Sequence, residues 1–362
     1  MSSKEEPFKK RIKREQKVWD ECAERYEASI VTGHPDVVAY TEFEEDFFDR
    51  ILMHLMRDKG LEIHLYDVGC GSARLHVHYG LKSVRLKTLP SIDAKAVKEW
   101  RSTANRHNFN SYFADRLKFV GGLDFAPAMI DLAKEKLHQA GLGTLLGNRL
   151  NLEVGSAYDL EPFDSMFVPI LVNVCNSIGV MQGEAGAQKL FQSMRRAVED
   201  AGGVAIISCY RESAIPHFAL GNYESTMNVS GQPIWLTPDT YASEEYLKIP
   251  KYFKHAFDKR DSILVDVYDD DGDLIEEDFV LKRDPALVEQ TIKSGKIRMY
   301  SDYSSRWYNF EQIREWMDKY WGDDKAYHLD GEAIDCVRAQ PAQLAIYDPA
   351  DRLKDLFNMW WS

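Results

Sequence analysis

The chain has no CxxC pair, and its five cysteines (Cys22, Cys70, Cys175, Cys209 and Cys336) are scattered through 362 residues. An odd, unpatterned count provides neither a disulfide frame nor a zinc site, and reads as reduced thiols. Long apolar runs are missing too. The longest, around "MFVPILVNVC", is half the length of a membrane span. The first residues, "MSSKEEPFKKRIKREQK", are charged and hold no apolar stretch of the kind a secretory signal needs. Positive charge is in deficit: the net charge is −13, which speaks against gripping a phosphate backbone as the main business. No G-x-x-x-x-G-K-[ST] occurs, so a P-loop is excluded. A cytoplasmic protein without membrane or nucleic-acid partners is the expectation.

Hydrophobic residues (44%) and aromatics (12%) suffice for a large core, and the length suits one core with an elaboration. In the N-terminal part, "WDECAERYEASI" puts Trp19, Cys22, Ala23 and Tyr26 on one helical face. A second amphipathic helix over 41–59 carries Phe43, Phe47, Ile51, Leu52 and Leu55. Strands and helices then alternate. Strands are expected at "EIHLYD", "KFVGGLD", "RLNLEVG", "MFVPILVNV" and "GVAIISCY", with helices beginning near Ser72 or Ala73, in "APAMIDLAKEKLHQAG", and in "GAQKLFQSMRRAVEDAGG". Short links between them argue for a parallel sheet covered on both faces. The alternation stops near Tyr210. Within 211–300, "ILVDVYDDDGDLIEEDFVL" has two period-2 runs around Asp-Gly, a hairpin signal. A helix "FEQIREWMDKYW" and strands near "AYHLDG" and "AQLAIYD" close the chain. This gives four regions: N-terminal lid helices over 1–60, a core over 61–210 with an insertion at 84–117, a β-rich lid over 211–300, and the end of the core over 301–362.

"LYDVGCGSAR" places Asp67, Gly69 and Gly71 at the end of the first strand, where open α/β sheets bind ligands. Glycines there let a ligand approach the backbone and tolerate positive φ. A plain tight turn would look the same. Dinucleotide binding requires G-x-G-x-x-G, and Arg74 stands in the sixth position.

This stretch resembles the first motif of class I S-adenosylmethionine-dependent methyltransferases, with Ala73 in the third glycine place, where only a small residue is needed. "FVGGLDFAPAMIDLAKEKL" resembles the family's second motif, and "LEVGSAYDLEPF" the segment after strand three. "VNVCNSIGVM" is similar to the fourth-strand end of glycine N-methyltransferase relatives, with Pro169 where an acidic residue is usual. "SSRWYNFEQIREWMDKYWG" resembles the stretch before the last two strands, and "VWDECAERYE" the N-terminal lid helix of small-molecule methyltransferases. The resemblance covers residues 17–80, 118–210 and 303–348. It implies a doubly wound seven-stranded α/β sheet of Rossmann-like methyltransferase type, its last strand antiparallel. It implies S-adenosyl-L-methionine as cofactor and methyl transfer to a small molecule, with an amine or amino acid preferred.

The implied cofactor residues are Tyr26, Asp67, Gly69, Cys70, Gly71, Arg74, Asp124, Phe125, Met129, Ser156, Ala157, Tyr158, Asn173 and Cys175. Asp124 would hold two ribose hydroxyls, two carboxylate oxygens suiting two adjacent donors. Ser156 stands where the family often has Asp facing the adenine amine. The acceptor-side candidates are Asn176, Tyr210, Arg211, His217 and Arg306. Asn176 could equally be a helix N-cap, and Tyr210 and Arg211 an ordinary sheet-edge pair. His76 and His78, at i and i+2, point apart on a helix and read as structural or surface residues. No metal is expected: the acidic tip "YDDDGDLIEED" lacks the order of an EF-hand loop. Tyr223, Trp235, Tyr303, Trp307 and Tyr308 could cage a substrate or pack an insert on its core. A methyltransferase acting on protein or nucleic acid, and a protein that binds the nucleotide without turnover, are the competing readings. A homo-oligomer is compatible with all of them.

Overall fold

The structure is a computed structural model. It describes residues 12, 13, 16, 17, 19, 20, 23, 35–84, 110–163, 166–181, 183–211, 252–254, 262–268, 274–282, 304–306, 308–331 and 342–360.

A seven-stranded sheet forms its centre. Five parallel strands are β1 (Ile63–Val68), β2 (Leu117–Asp124), β3 (Leu150–Val154), β4 (Val168–Asn173) and β5 (Val204–Tyr210). A second, four-stranded sheet follows in the chain: β6 (Tyr252–Lys254), β7 (Ser262–Tyr268), β8 (Leu274–Lys282) and β9 (Ser304–Arg306). The last two strands, β10 (Ala326–Asp330) and β11 (Ala342–Tyr347), return to the first. Its order is β10-β11-β5-β4-β1-β2-β3, with β11 antiparallel to both neighbours. This is the arrangement that the family resemblance implies. The expected Asp-Gly hairpin pairs as β7 with β8, Ser262 opposite Lys282 and Tyr268 opposite Leu274.

Both faces of the sheet are buried, which is why its strands read as continuous apolar runs. Alternate residues serve opposite cores. Ile63 and Leu65 of β1 and Ile170 and Val172 of β4 pack on one side; Tyr66, Val68 and Leu171 pack on the other. The first side is covered by helices α1 (Pro35–Met53), α2 (Arg74–Ser83), α3 (Ser111–Arg116) and α4 (Pro127–Gln139). The second is covered by α5 (Gly183–Val198) and α6 (Phe310–Tyr320), and a short α7 (Lys354–Trp360) ends the described chain. A capping box at Asn309 and Gln312 fixes the start of α6.

Two expectations need correction. The helix expected at 41–59 begins at Pro35, since proline at the first helical position loses no internal hydrogen bond, and a π-helical turn from His54 to Asp58 ends it. It is a core element and no lid: Tyr40, Phe43, Phe47, Phe48, Ile51 and Leu52 all lie in the first-face core. The insertion expected at 84–117 is shorter at its far end. Residues 111–116 form α3, whose Phe113 is buried and stacks on Tyr79 of α2 at 5.5 Å, and Leu117 already belongs to β2. Among the described residues, no helix is long and apolar enough to cross a membrane.

Candidate active site

The glycine turn joins β1 to α2 at the carboxyl end of the sheet. Gly69 and Cys70 both donate to Leu123 O, at 2.8 and 2.9 Å, so the turn is pinned to the end of β2. Gly69 (φ 83°) and Gly71 (φ 48°) take the left-handed conformation expected of them. A Cβ on Gly71 would meet no atom within 4 Å, and Gly71 lines a cleft, open to solvent on one side, of about 800 Å³. The third position is a surprise. Ala73 also sits at φ 63°, ψ 38°, so this place asks for a left-handed residue and not merely a small one.

Asp124 ends β2 and lines the cleft. Its Oδ2 accepts from Gly71 N (3.0 Å) and its Oδ1 from Ala126 N (2.9 Å). Each oxygen keeps a lone pair for a ligand donor. Burial pushes its carboxyl up to about 6, against the pull of the backbone N–H groups. Phe125, Met129, Ser156, Ala157, Tyr158 and Cys175 line the same cleft. The Ser156 hydroxyl accepts from Tyr158 N at 3.2 Å, which shapes the turn after β3.

Other expected residues lie behind the cleft wall. Asp67 is fully buried and its Oδ1 has no hydrogen-bond partner. Burial raises its carboxyl to about 7; Arg74 pulls it down, while Glu44 and Asp124 push the same way as burial. Asn173 donates to Val68 O at 2.6 Å and ties the ends of β1 and β4 together. Cys70 is buried in the turn. Arg74 is engaged by α1: it donates to Glu44 Oε2 (2.5 Å), Glu45 Oε1 (3.3 Å) and Thr41 O (3.0 Å).

The acceptor-side candidates are dispersed. Asn176 does not cap the turn that follows it. Its Oδ1 accepts from Tyr210 N at 3.1 Å, stapling the loop after β4 to β5. Tyr210 packs on Tyr40, ring centroids 4.7 Å apart, and Arg211 pairs with Asp330 at 3.0 Å. None of these three lines the cleft. Arg306 stands in β9 opposite Tyr252. Tyr26 and His217 lie outside the described residues, as do Tyr223, Trp235, Tyr303 and Trp307. Tyr308 is buried edge-on against Trp316 at 4.9 Å, a core contact and no cage.

Sequence reading missed Ile12, Leu123, Val180 and Met181 as cleft residues, and gave Trp19 only a helical face. It also missed Glu44, wholly buried, which accepts from Cys175 N at 2.8 Å in addition to holding Arg74. Below that pair, α1 and α2 continue as a ladder of charges. His78 lies 3.2 Å from both Glu45 and Asp49, and Lys82 pairs with Asp49. His76 faces the sheet instead, where a Cβ on Gly122 would come within 2.6 Å of its ring; burial lowers its pKa to about 4, so it is neutral. Among the described residues no cluster of His, Cys, Asp and Glu could hold a metal ion.

The loop after β4 is strained. Cys175 (φ 53°) and Asn176 (φ 58°) are consecutive left-handed residues without being glycine. Such conformations persist where the surroundings over-determine them, and they cluster at functional sites. Here the bonds from Glu44 and Tyr210 hold them, and Cys175 is left facing the cleft.

No protein-family model matches the chain, and no curated protein matches it. Solved structures do. One is an S-adenosylmethionine-dependent methyltransferase from Clostridium acetobutylicum, 11% identical, with a TM-score of 0.41 over 91% of this chain and 98% of that one. The CcbJ methyltransferase from Streptomyces caelestis is 11% identical, with a TM-score of 0.40 over 83% of this chain and 88% of that one. DhpI, solved as its SAH complex, is 10% identical, with a TM-score of 0.40 over 92% of this chain and 95% of that one. Similarity this distant leaves function to be read from the site itself.

Proposed function

We propose that this protein transfers a methyl group from S-adenosylmethionine to a small-molecule acceptor, an amine or amino acid being preferred. The observation that carries the reading is the bare cleft at the carboxyl end of β1 and β2. There Gly71 leaves the space that a side chain would fill, and Asp124, itself buried, lines the cleft. The residues fit an adenosyl sulfonium compound. Asp124 has acceptor capacity for two hydroxyls, the unpartnered Asp67 Oδ1 behind the wall favours a cationic ligand nearby, and Phe125, Met129 and Ala157 offer apolar surface to a base.

When bound, S-adenosylmethionine would supply a methyl carbon held on a sulfonium, a good leaving group for an acceptor that brings a lone pair. The chain must align the acceptor with that carbon–sulfur bond and keep water away. Cys175 and Ser177, in the loop after β4, line the cleft and would form part of its wall. The cleft-lining residues described include no Lys, His or Glu. Cys175 is no base at neutral pH, because burial, then Glu44, pushes its thiol up to about 12. Asp124 accepts from two backbone N–H groups, and its remaining lone pairs are those the two hydroxyls would take. An acceptor that arrives with its own lone pair, a neutral amine, needs no base for bond formation, which supports the preference.

Calorimetric titration with S-adenosylmethionine, S-adenosylhomocysteine and NAD tests the reading. Micromolar binding of the first two, about −8 kcal/mol, and none of NAD is expected. Asp124→Ala should weaken it by about 1–3 kcal/mol through loss of charge-assisted hydrogen bonds. Unchanged affinity in the folded variant would remove Asp124 from the site. A methyl-transfer screen over amines then tests the acceptor class.

A further inference from the structure

Helix α4 begins without a cap of its own. Its N-cap residue is Ala126, which has no side-chain acceptor, and Pro127 follows. The first N–H groups of a helix have no partner within it and must find one elsewhere. Pro127 has none to satisfy. Met129 N and Ile130 N both reach Ala126 O, at 3.1 and 3.3 Å. That leaves Ala128 N, the position an N-cap side chain usually serves.

It is served from 108 residues away. Ala128 N donates to Asp20 Oδ1 at 3.0 Å. One helical turn before Asp20, Gln16 Nε2 donates to Phe125 O at 2.6 Å. Between these two clasps Trp19 is buried, and Trp19 and Ala23 pack against Ala126 and Met129. Gln16, Trp19, Asp20 and Ala23 thus grip the corner from Phe125 to Ala128. The same corner holds Asp124, whose Oδ1 accepts from Ala126 N. Ile12 and Trp19 close the cleft on this side.

We propose that Asp20 is a positioning residue for the ligand of this cleft: by capping α4 from the N-terminal segment, it holds Trp19 over the cleft and couples segment docking to ligand binding. The proposal rests on the adenosyl-cofactor reading above. Its logic is that an undocked segment leaves Ala128 N without its acceptor and the cleft without one wall, so both are completed in one event. A ligand touching Trp19 and Phe125 then favours the docked state, and docking favours the ligand by the same factor. A carboxylate is also the favoured group at the positive end of a helix.

Asp20 is exposed, so its substitution opens no cavity in the core. Asp20→Ala should weaken binding of S-adenosylhomocysteine about five- to tenfold, the usual worth of a cap, and Asp20→Asn, which caps as well, should restore it to within about twofold. Hydrogen exchange at the Ala128 amide reads the cap with no ligand present, and Asp20→Ala should speed it. If that exchange is unchanged, the clasp does not exist and the proposal falls. If exchange speeds but affinity stays the same, the cap is structural only and the coupling falls. If the unaltered protein shows Ala128 protection yet binds no adenosyl compound, the cofactor reading has failed and takes the coupling with it.

Discussion

Replacing Glu44 by alanine should destabilise the fold by about 3 kcal/mol. Glu44 is wholly buried, its Oε2 is 2.5 Å from Arg74 and its Oε1 accepts from Cys175 N at 2.8 Å. Breaking a buried ion pair from one side costs about 3–5 kcal/mol, because the other charge is stranded. Arg74 is not wholly stranded: it keeps Glu45 at 3.3 Å and Thr41 O at 3.0 Å, and its side chain is 15% exposed. That argues for the lower end. The Cys175 N–H loses its acceptor as well, and with it one of the bonds that hold the left-handed pair of Cys175 and Asn176. For a chain of this length, 3 kcal/mol corresponds to about 4 °C in Tm, scaling the entropy of unfolding per residue. Thermal unfolding followed by circular dichroism measures it. Glu44→Gln keeps an acceptor for Cys175 N and should cost less. A double variant, Glu44→Leu with Arg74→Met, buries no lone charge and should cost less than the sum of the single changes. A loss under about 1 kcal/mol for Glu44→Ala, or a double variant as damaging as both singles together, would refute the reasoning.

Three further outcomes are expected. Burial would lower the pKa of His78, but Glu45 and Asp49 outweigh it and hold it above the ordinary value. A group that binds its proton more tightly when folded stabilises below the unfolded pKa of about 6.5, and loses that contribution as pH rises through the folded value. Stability measured from pH 6 to 9 should therefore fall along this limb, and the limb should flatten in His78→Gln; an unchanged slope would exclude His78 as its source. Asp67 acts in the same pH direction for a different reason: its carboxyl, raised to about 7 by burial, is destabilising when ionised. Asp67→Asn should raise Tm at pH 8 more than at pH 5, while weakening S-adenosylmethionine binding in calorimetry. Finally, Ala73→Gly relieves a left-handed alanine at about 1–2 kcal/mol but gives back about 0.4–1 kcal/mol through the freer unfolded chain and about 0.8 kcal/mol with its buried methyl, so urea unfolding should shift by less than about 1 kcal/mol.

The order of strands and helices was written in the chain, because a sheet buried on both faces needs unbroken apolar strands and its covering helices need one apolar stripe. Val204–Tyr210 and the run in α5 show both patterns. The glycine turn and Asp124 were legible for a related reason: a close backbone approach and a carboxylate at a strand end are local requirements, met by neighbouring residues. What the chain did not disclose is every partnership between distant residues. Glu44 reads as one more acid on an amphipathic helix until α1 packs on α2 and sets it against Arg74, 30 residues on, and Cys175, 131 residues on. Asp20 reads as a surface charge until the N-terminal segment meets the uncapped end of α4. Ala73 reads as a small residue until the turn forces its φ positive. Local pattern determines which elements form, since it acts through the periodicity of each segment alone. Which buried charge meets which, and which strained backbone is held, is decided by packing, since it depends on where several elements come to rest against one another.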